Sequence, residues 1–198
     1  DVRFRKHCSD LLKLVEGWLA QEQFQENPLH QANYLMEAVY HRRIERLYNS
    51  VLTSARRLSD RQLLKPASYY YYQFQLERNY YELSESRIKR EQKGNLEEII
   101  NNLDYFYLAE KLRYYCSTFS RKKFGHFDYE FLFMDEIIQV IERENFEKIP
   151  PISLYYHVYK SYAERDNDEN YYKLKALIFE YIDLFPNDEA KDIMDAAI

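Results

Sequence analysis

The chain has 198 residues, of which 46% are apolar and 31% charged, a composition typical of one globular domain rather than of a disordered chain. With a net charge of −5, it lacks the strong positive charge typical of nucleic-acid-binding proteins. Its three glycines are isolated, which excludes the glycine-rich loops that bind phosphates or dinucleotides, and Asn-Gly and Asp-Gly hairpin pairs are absent. The chain is therefore expected to be all-helical.

The two cysteines, Cys8 and Cys116, lie far apart and belong to no Cys-x-x-Cys or Cys/His cluster, so both are predicted to be buried free thiols. No stretch of 18 apolar residues and no apolar signal-peptide core is present, which predicts no membrane segment and, by default, a cytoplasmic location. The chain begins with Asp1 rather than Met and is expected to be a piece of a longer protein. Richness in Tyr, Asn, Lys and Glu indicates an AT-rich, bacterial source.

Seven or eight helices are predicted, with prolines standing where apolar-periodic stretches begin. In chain order they cover residues 3–24, 29–58, 67–90, 96–122, 128–145, 152–165, 169–185 and 188–198. The fourth has apolar residues at nearly every angle and is expected to be the enclosed centre of the fold. No strand-like alternation competes and no low-complexity linker divides the chain, which predicts a single domain over residues 1–198.

The second predicted helix places His30, Glu37, His41 and Glu45 on one face. Glu37 and His41 are close enough to bind one ion, but His30 lies roughly 16 Å from His41 at the helical rise. A catalytic metal needs about three protein ligands. No metal and no cofactor is therefore expected, and this face is interpreted as a solvated polar stripe.

Cations are concentrated between residues 41 and 65. They are Arg42, Arg43, Arg46, Arg56, Arg57, Arg61 and Lys65. On one continuous helix Arg42 and Arg46 would share a side, so a phosphate-binding patch is one interpretation. The other interpretation, which we favour, is surface charge that faces the acidic second half of the chain or an acidic partner segment.

Residues 67–87 include four consecutive tyrosines, in a chain with 21 Tyr and 12 Phe. On a helix the apolar residues fall on two ridges about 120° apart, which predicts two packing neighbours. The ridges are Tyr69, Tyr72, Leu76, Tyr80 and Leu83, and Tyr70, Phe74, Tyr81 and Ile88. Tyr71 alone points into the polar sector that also holds Arg78, so Tyr71 and Arg78 are predicted to be available to a partner.

Residues 154–190 resemble a tetratricopeptide-type helical hairpin. The matching positions are Leu174, Ile178, Tyr181 and Pro186 in its second helix and closing proline, and Tyr155, Val158, Tyr159 and Tyr162 in its first helix. The resemblance implies antiparallel helical hairpins, at 29–90, 95–145 and 152–185, stacked as a short right-handed α–α superhelix. In that repeat the first helix lines the concave groove, so the resemblance implies that Tyr156 and Lys160 face a bound peptide.

The favoured function is a scaffold that binds a protein or peptide partner in this concave face. No catalytic residue is nominated, because adjacent carboxylates diverge on a helix and the serines show no Gly-x-Ser-x-Gly elbow, so an enzyme is not expected. Two alternatives stay open: a regulatory or nucleic-acid-associated helical domain of a larger bacterial protein, and an all-α enzyme with an unrecognised site. The last helix has an apolar face and no terminating glycine, so self-association or further chain is expected at that edge.

Overall fold

The computed structural model describes residues 2–84, 92–122, 131–164 and 167–196. Every regular element among these residues is a helix and none is a strand, which confirms the prediction of an all-α chain. The described α-helices are α1 (Val2–Gln25), α2 (Pro28–His41), α3 (Tyr48–Asp60), α4 (Ala67–Ser84), α5 (Gln92–Lys122), α6 (Met134–Glu144), α7 (Pro150–Ala163), α8 (Asp168–Tyr181) and α9 (Asn187–Ala196). Short 3-10 turns cover Glu45–Leu47, Phe146–Lys148 and Ile182–Leu184. The predicted helical segments 85–90, 128–130, 165 and 197–198 lie outside the described residues.

The prediction of one helix over 29–58 is wrong, because the chain ends α2 at His41 and starts α3 at Tyr48. Arg43 adopts the left-handed region with φ of 52°. Its amide donates to the Tyr40 carbonyl at 2.9 Å, and the Ile44 amide donates to the Val39 carbonyl at 3.0 Å. This is the Schellman ending that glycine usually provides. The break was missed because neither Gly nor Pro marks it in the sequence.

The chain divides into two compact units by its contacts, one of residues 1–61 and 75–92 and one of residues 62–74 and 93–198. In the first unit α2 and α3 pack side by side, and the second half of α4 completes their core. The buried side chains are Ala32, Met36, Val39, Val51, Leu52, Ala55 and Leu76. The first predicted hairpin therefore pairs α2 with α3 rather than one long helix with α4.

An ion pair joins α3 to α4 in the first unit. The Arg56 guanidinium contacts both carboxylate oxygens of Glu77, at 3.0 Å from Nε and 2.8 Å from Nη2. Glu77 is buried, and the Arg56 guanidinium also lies 5.3 Å from the centre of the Tyr80 ring. Bidentate pairing of this kind satisfies a carboxylate that would be costly to bury alone.

The second unit is built around α7, which packs against α8 and α9. Pro150 and Pro151 start α7, and the Asn167 side chain caps α8 by accepting from the Glu169 amide at 3.1 Å. The core side chains include Leu112, Ile137, Ile141, Ile152, Leu154, Val158, Leu174, Phe185 and Ile193. The Tyr155 hydroxyl donates to the buried Glu189 carboxylate at 3.0 Å and so joins α7 to α9.

Two expectations about burial are corrected. Helix α5 is not enclosed on all sides, since Ala109, Leu112 and Cys116 are buried while Leu103 and Tyr114 are exposed. Cys116 is a buried free thiol as predicted, and its Sγ lies 3.3 Å from the Tyr155 carbonyl oxygen. Cys8 is a free thiol but is exposed, contrary to the prediction.

None of the described helices is both long enough and apolar enough to cross a membrane.

Candidate interaction surfaces

Tyr156 was expected to face a groove, but the structure buries it. Only 3% of the residue is exposed, and every residue from 151 to 158 on α7 is buried. Its hydroxyl donates to Glu142 Oε1 on α6 at 2.7 Å. Burial, followed by this hydrogen bond, raises the pKa of Tyr156 above its ordinary value. The predicted exposure of Tyr156 is therefore wrong, and its contact with a partner stays a prediction.

Lys160 follows Tyr156 by one helical turn, and two carboxylates already neutralise it. Its Nζ lies 3.1 Å from Glu142 Oε1 and 3.0 Å from Glu164 Oε1. Partial burial acts against the charged form, but the hydrogen bonds to Glu164 and Glu142 prevail and raise the pKa of Lys160. A partner carboxylate would have to displace one of these two. The structure thus brings Tyr156 and Lys160 together as an internally paired cluster.

Next to this cluster lies His157, a buried histidine. It is 3% exposed, and neither ring nitrogen has a hydrogen-bond partner among the described residues. Its Nε2 lies 3.7 Å from Glu147 Oε2, which also accepts from Lys173 Nζ at 3.2 Å. Burial, followed by the Lys173 charge, lowers the pKa of His157, while Glu147 opposes the shift. The imidazole is therefore held neutral near pH 7.

The other two predicted partner residues, Tyr71 and Arg78, occupy different surroundings. Tyr71 does not point into solvent, since it is half-buried and its ring packs on Phe106 of α5 with centroids 5.0 Å apart. Arg78 is exposed, with its Nε 3.6 Å from Glu82 Oε1 one helical turn away. Tyr71 belongs to the second unit with Tyr156 and Lys160, whereas Arg78 belongs to the first.

The stripe considered for metal binding does not assemble. Glu37 and His41 lie 3.6 Å apart on α2, but Glu45 falls beyond the end of that helix. Within the described ranges no three His, Cys, Asp or Glu side chains converge on one point.

The helix break also separates Arg42 from Arg46. The prediction that these two arginines share one side of a continuous helix is therefore wrong.

An apolar groove of about 280 Å³ lies between α2 and α3 in the first unit. It is lined by Pro28, Gln31, Ala32, Leu35, Ser50, Val51, Ser54, Ala55 and Leu58. Four of the nine lining residues are Ala or Ser, and Leu35 and Leu58 are exposed. Its size and lining suit one or two apolar side chains of a partner.

A much larger apolar surface follows helix α1. Eight exposed residues lie within an arc of about 160° on this helix, and we call this set the α1 face. The α1 face consists of Phe4, Cys8, Leu11, Leu12, Leu14, Val15, Trp18 and Leu19. Leu11 is 62% exposed and Trp18 59%, and across the described range of α1 no residue is buried. Contiguous exposed apolar surface of this kind marks interaction sites.

Helix α1 is attached to the first unit at its C-terminal end. The Phe24 ring packs against His30 and Tyr34 of α2, with centroids 6.0 and 5.7 Å away. The Gln31 side chain donates to the Phe24 and Gln25 carbonyls at 2.9 and 2.8 Å, which satisfies groups at the end of α1. Phe24 lies on the opposite side of α1 from the α1 face, so the attachment leaves that face uncovered.

A second exposed apolar line runs along α5 in the second unit. Its members are Leu96, Ile100, Leu103, Tyr107 and Tyr114, at spacings of three, four or seven residues. In both α1 and α5 the spacing of the apolar residues indicates an amphipathic or apolar helix. Such spacing by itself predicts that these residues are buried in a core, so the exposure of both surfaces could not be predicted from the sequence.

Comparisons of this chain with protein-family models, with curated proteins and with solved structures find no match. The surfaces of the molecule are therefore the features that bear on its function. The resemblance of residues 154–190 to a tetratricopeptide hairpin stays a prediction. The described contacts do pair α7 with α8 over that segment.

Proposed function

We propose that this protein is a protein-interaction module whose α1 face binds an apolar surface of another protein chain. The observation that carries the proposal is the complete exposure of a 24-residue helix that bears eight apolar residues on one side. Burying a large apolar side chain contributes about 1.5–3 kcal/mol. Several such residues together would supply a substantial part of the free energy that association needs.

The energetics of an isolated helix support the same proposal. In proteins a helix gains most of its stability from packing its apolar face against neighbouring elements rather than from intrinsic helix propensity. Helix α1 includes Gly17 in its interior, which weakens it further. A bound partner would supply the packing that α1 does not obtain from its own unit.

The paired helices α7 and α8 are compatible with the finer proposal that the chain is a tetratricopeptide-like scaffold. Each has 14 residues, and they pack against each other across a short connection. In this proposal the first unit carries the binding helix. The residues first nominated for binding, Tyr156 and Lys160, then have a structural role on α7.

Capture experiments with matched variants test the proposed function. A C-terminally tagged chain is used to capture binding partners from native extract, and L11E/V15E is compared with the control S9E/A20E. Both variants add two glutamates to α1 at exposed positions, but only the first pair lies in the α1 face. We expect the control to retain a stoichiometric partner and L11E/V15E to lose it. Equal capture by both variants, or the recovery of neither a second copy of this chain nor any other stoichiometric protein, would contradict the proposal.

A further inference from the structure

We propose that the partner of the α1 face is the α1 face of a second copy of this chain, with the two helices antiparallel. This inference rests on the proposed function and names the partner. Three features of α1 carry it: the order of its charges, the sizes of the side chains along its face, and the apolar area that it exposes.

The charges of α1 are segregated along its length. Residues 2–13 contain four cations and one acid, whereas residues 14–26 contain three acids and no cation. The cations are Arg3, Arg5, Lys6 and Lys13, and the acids are Asp10 in the first half and Glu16, Glu22 and Glu26 in the second. This order opposes the dipole of a single helix, which favours acids near its N-terminus and cations near its C-terminus. In an antiparallel pair each basic half meets the acidic half of the other copy, and the two helix dipoles also oppose each other.

The centre line of the α1 face repeats at spacings of three and four residues. It runs through Phe4, Cys8, Leu11, Val15, Trp18 and Glu22. Antiparallel pairing about a two-fold axis near position 13 sets Leu11 against Val15 of the second copy, and small Cys8 against large Trp18 of the second copy. Large side chains thus oppose smaller ones, as close packing requires.

The same register explains the acid that ends the apolar line. Glu22 would meet Phe4 of the second copy. Arg3 and Arg5 flank Phe4 on the helix surface of that copy, so Glu22 would lie between these two cations. Glu22 is exposed and stands at the end of an otherwise apolar line. In a parallel pair it would instead meet Glu22 of the second copy, and Arg5 would meet Arg5. Like charges at both ends disfavour the parallel arrangement.

The exposed area is sufficient for a stable dimer. The large side chains of the α1 face would together remove on the order of 700 Å² per copy from solvent, close to the roughly 800 Å² per partner of standard interfaces. The groove between α2 and α3, at about 280 Å³, is too small to receive this face. A second α1 has both the length and the apolar width to cover it.

Sedimentation velocity of the purified full chain across a dilution series measures the self-association directly. Trp18 is the single tryptophan of the chain and lies in the α1 face, so its emission reports the same event. We expect a species of twice the monomer mass at high concentration, with blue-shifted emission that moves to longer wavelength on dilution. L11E/V15E should remain monomeric, and S9E/A20E should dimerise like the wild type.

Charge exchange tests the orientation. In the antiparallel pair R5E should weaken the dimer about tenfold, because each substitution replaces two interfacial attractions by repulsions. E22R should weaken it similarly, and R5E/E22R should restore it to near the wild-type dissociation constant. A parallel pair predicts no weakening by R5E or E22R alone, since each merely exchanges one like-charge contact for another.

The outcomes separate this inference from the proposed function. A wild-type chain that stays monomeric at all concentrations, a dimer that L11E/V15E leaves intact, or R5E without effect would overturn the antiparallel self-association. If a different protein is then captured from extract in a manner that depends on Leu11 and Val15, the proposed function stands with another partner. If capture fails as well, both are rejected.

Discussion

Helices α1 and α7 are both rich in apolar side chains, yet the structure covers them to opposite extents. Helix α7 buries eight consecutive residues, 151–158, and contacts α8, α9 and the 3-10 turn at Phe146–Lys148. Helix α1 contacts α2 near their junction and, over its described residues, buries nothing. An apolar helix face therefore indicates that a partner is needed, but it does not indicate whether the same chain supplies that partner.

The polar residues of the two helices differ in the same way. On α7, Tyr156 and Lys160 have their partners within the unit, at Glu142 and Glu164. On α1, the cations at positions 3, 5 and 6 lie ten or more residues before the acids at positions 16, 22 and 26, which is about 15 Å or more at the helical rise. These two groups therefore do not pair with each other within one copy. The comparison predicts that α7 residues govern folding stability, whereas α1 residues govern association.

The largest expected contrast comes from one substitution made in both helices. Leu154→Ala on α7 removes a side chain with 0% exposure and should lower the free energy of unfolding by about 2–5 kcal/mol. Leu11→Ala on α1 removes an exposed side chain and should change it by less than about 0.5 kcal/mol in the monomer. Denaturant titrations at low protein concentration measure both values. Similar losses for the two variants would show that α1 is covered by its own chain.

A smaller effect is expected from the hydroxyl of Tyr156. Tyr156→Phe keeps the buried ring but removes the hydrogen bond to Glu142, which should cost about 1 kcal/mol of unfolding free energy. Tyr172→Phe on α8 is the matched control, because that tyrosine is exposed, and should be neutral within about 0.5 kcal/mol. If Tyr156→Phe is as neutral as its control while partner binding falls, Tyr156 has the partner-binding role first assigned to it.

The sequence is sufficient to predict the helical class and most helix positions, because prolines and apolar periodicity mark helix starts and faces directly. The end of α2 could not be predicted, since Arg43 takes a left-handed conformation that normally requires glycine. Which residues are buried was harder to predict than where the helices lie. Tyr156 and Trp18 each have an apolar residue four positions earlier, at Ile152 and Leu14, and only the packing of neighbouring helices separates the buried residue from the exposed one.

His157 provides the test with the smallest expected effect of how completely α7 is enclosed. Burial lowers the pKa of His157 in the folded protein, so on acidification the unfolded chain binds a proton first, near its ordinary pKa of about 6.5. Stability that is fully present above this pH is therefore lost progressively as the pH falls through and below it. His157→Phe removes the titrating group, and Glu147 and Lys173 then pair with each other alone. Thermal unfolding measured between pH 7.5 and about 5 should show a decline in the wild type that is smaller in the variant. An unchanged decline would place the titration on other groups and would mean that water reaches the His157 ring.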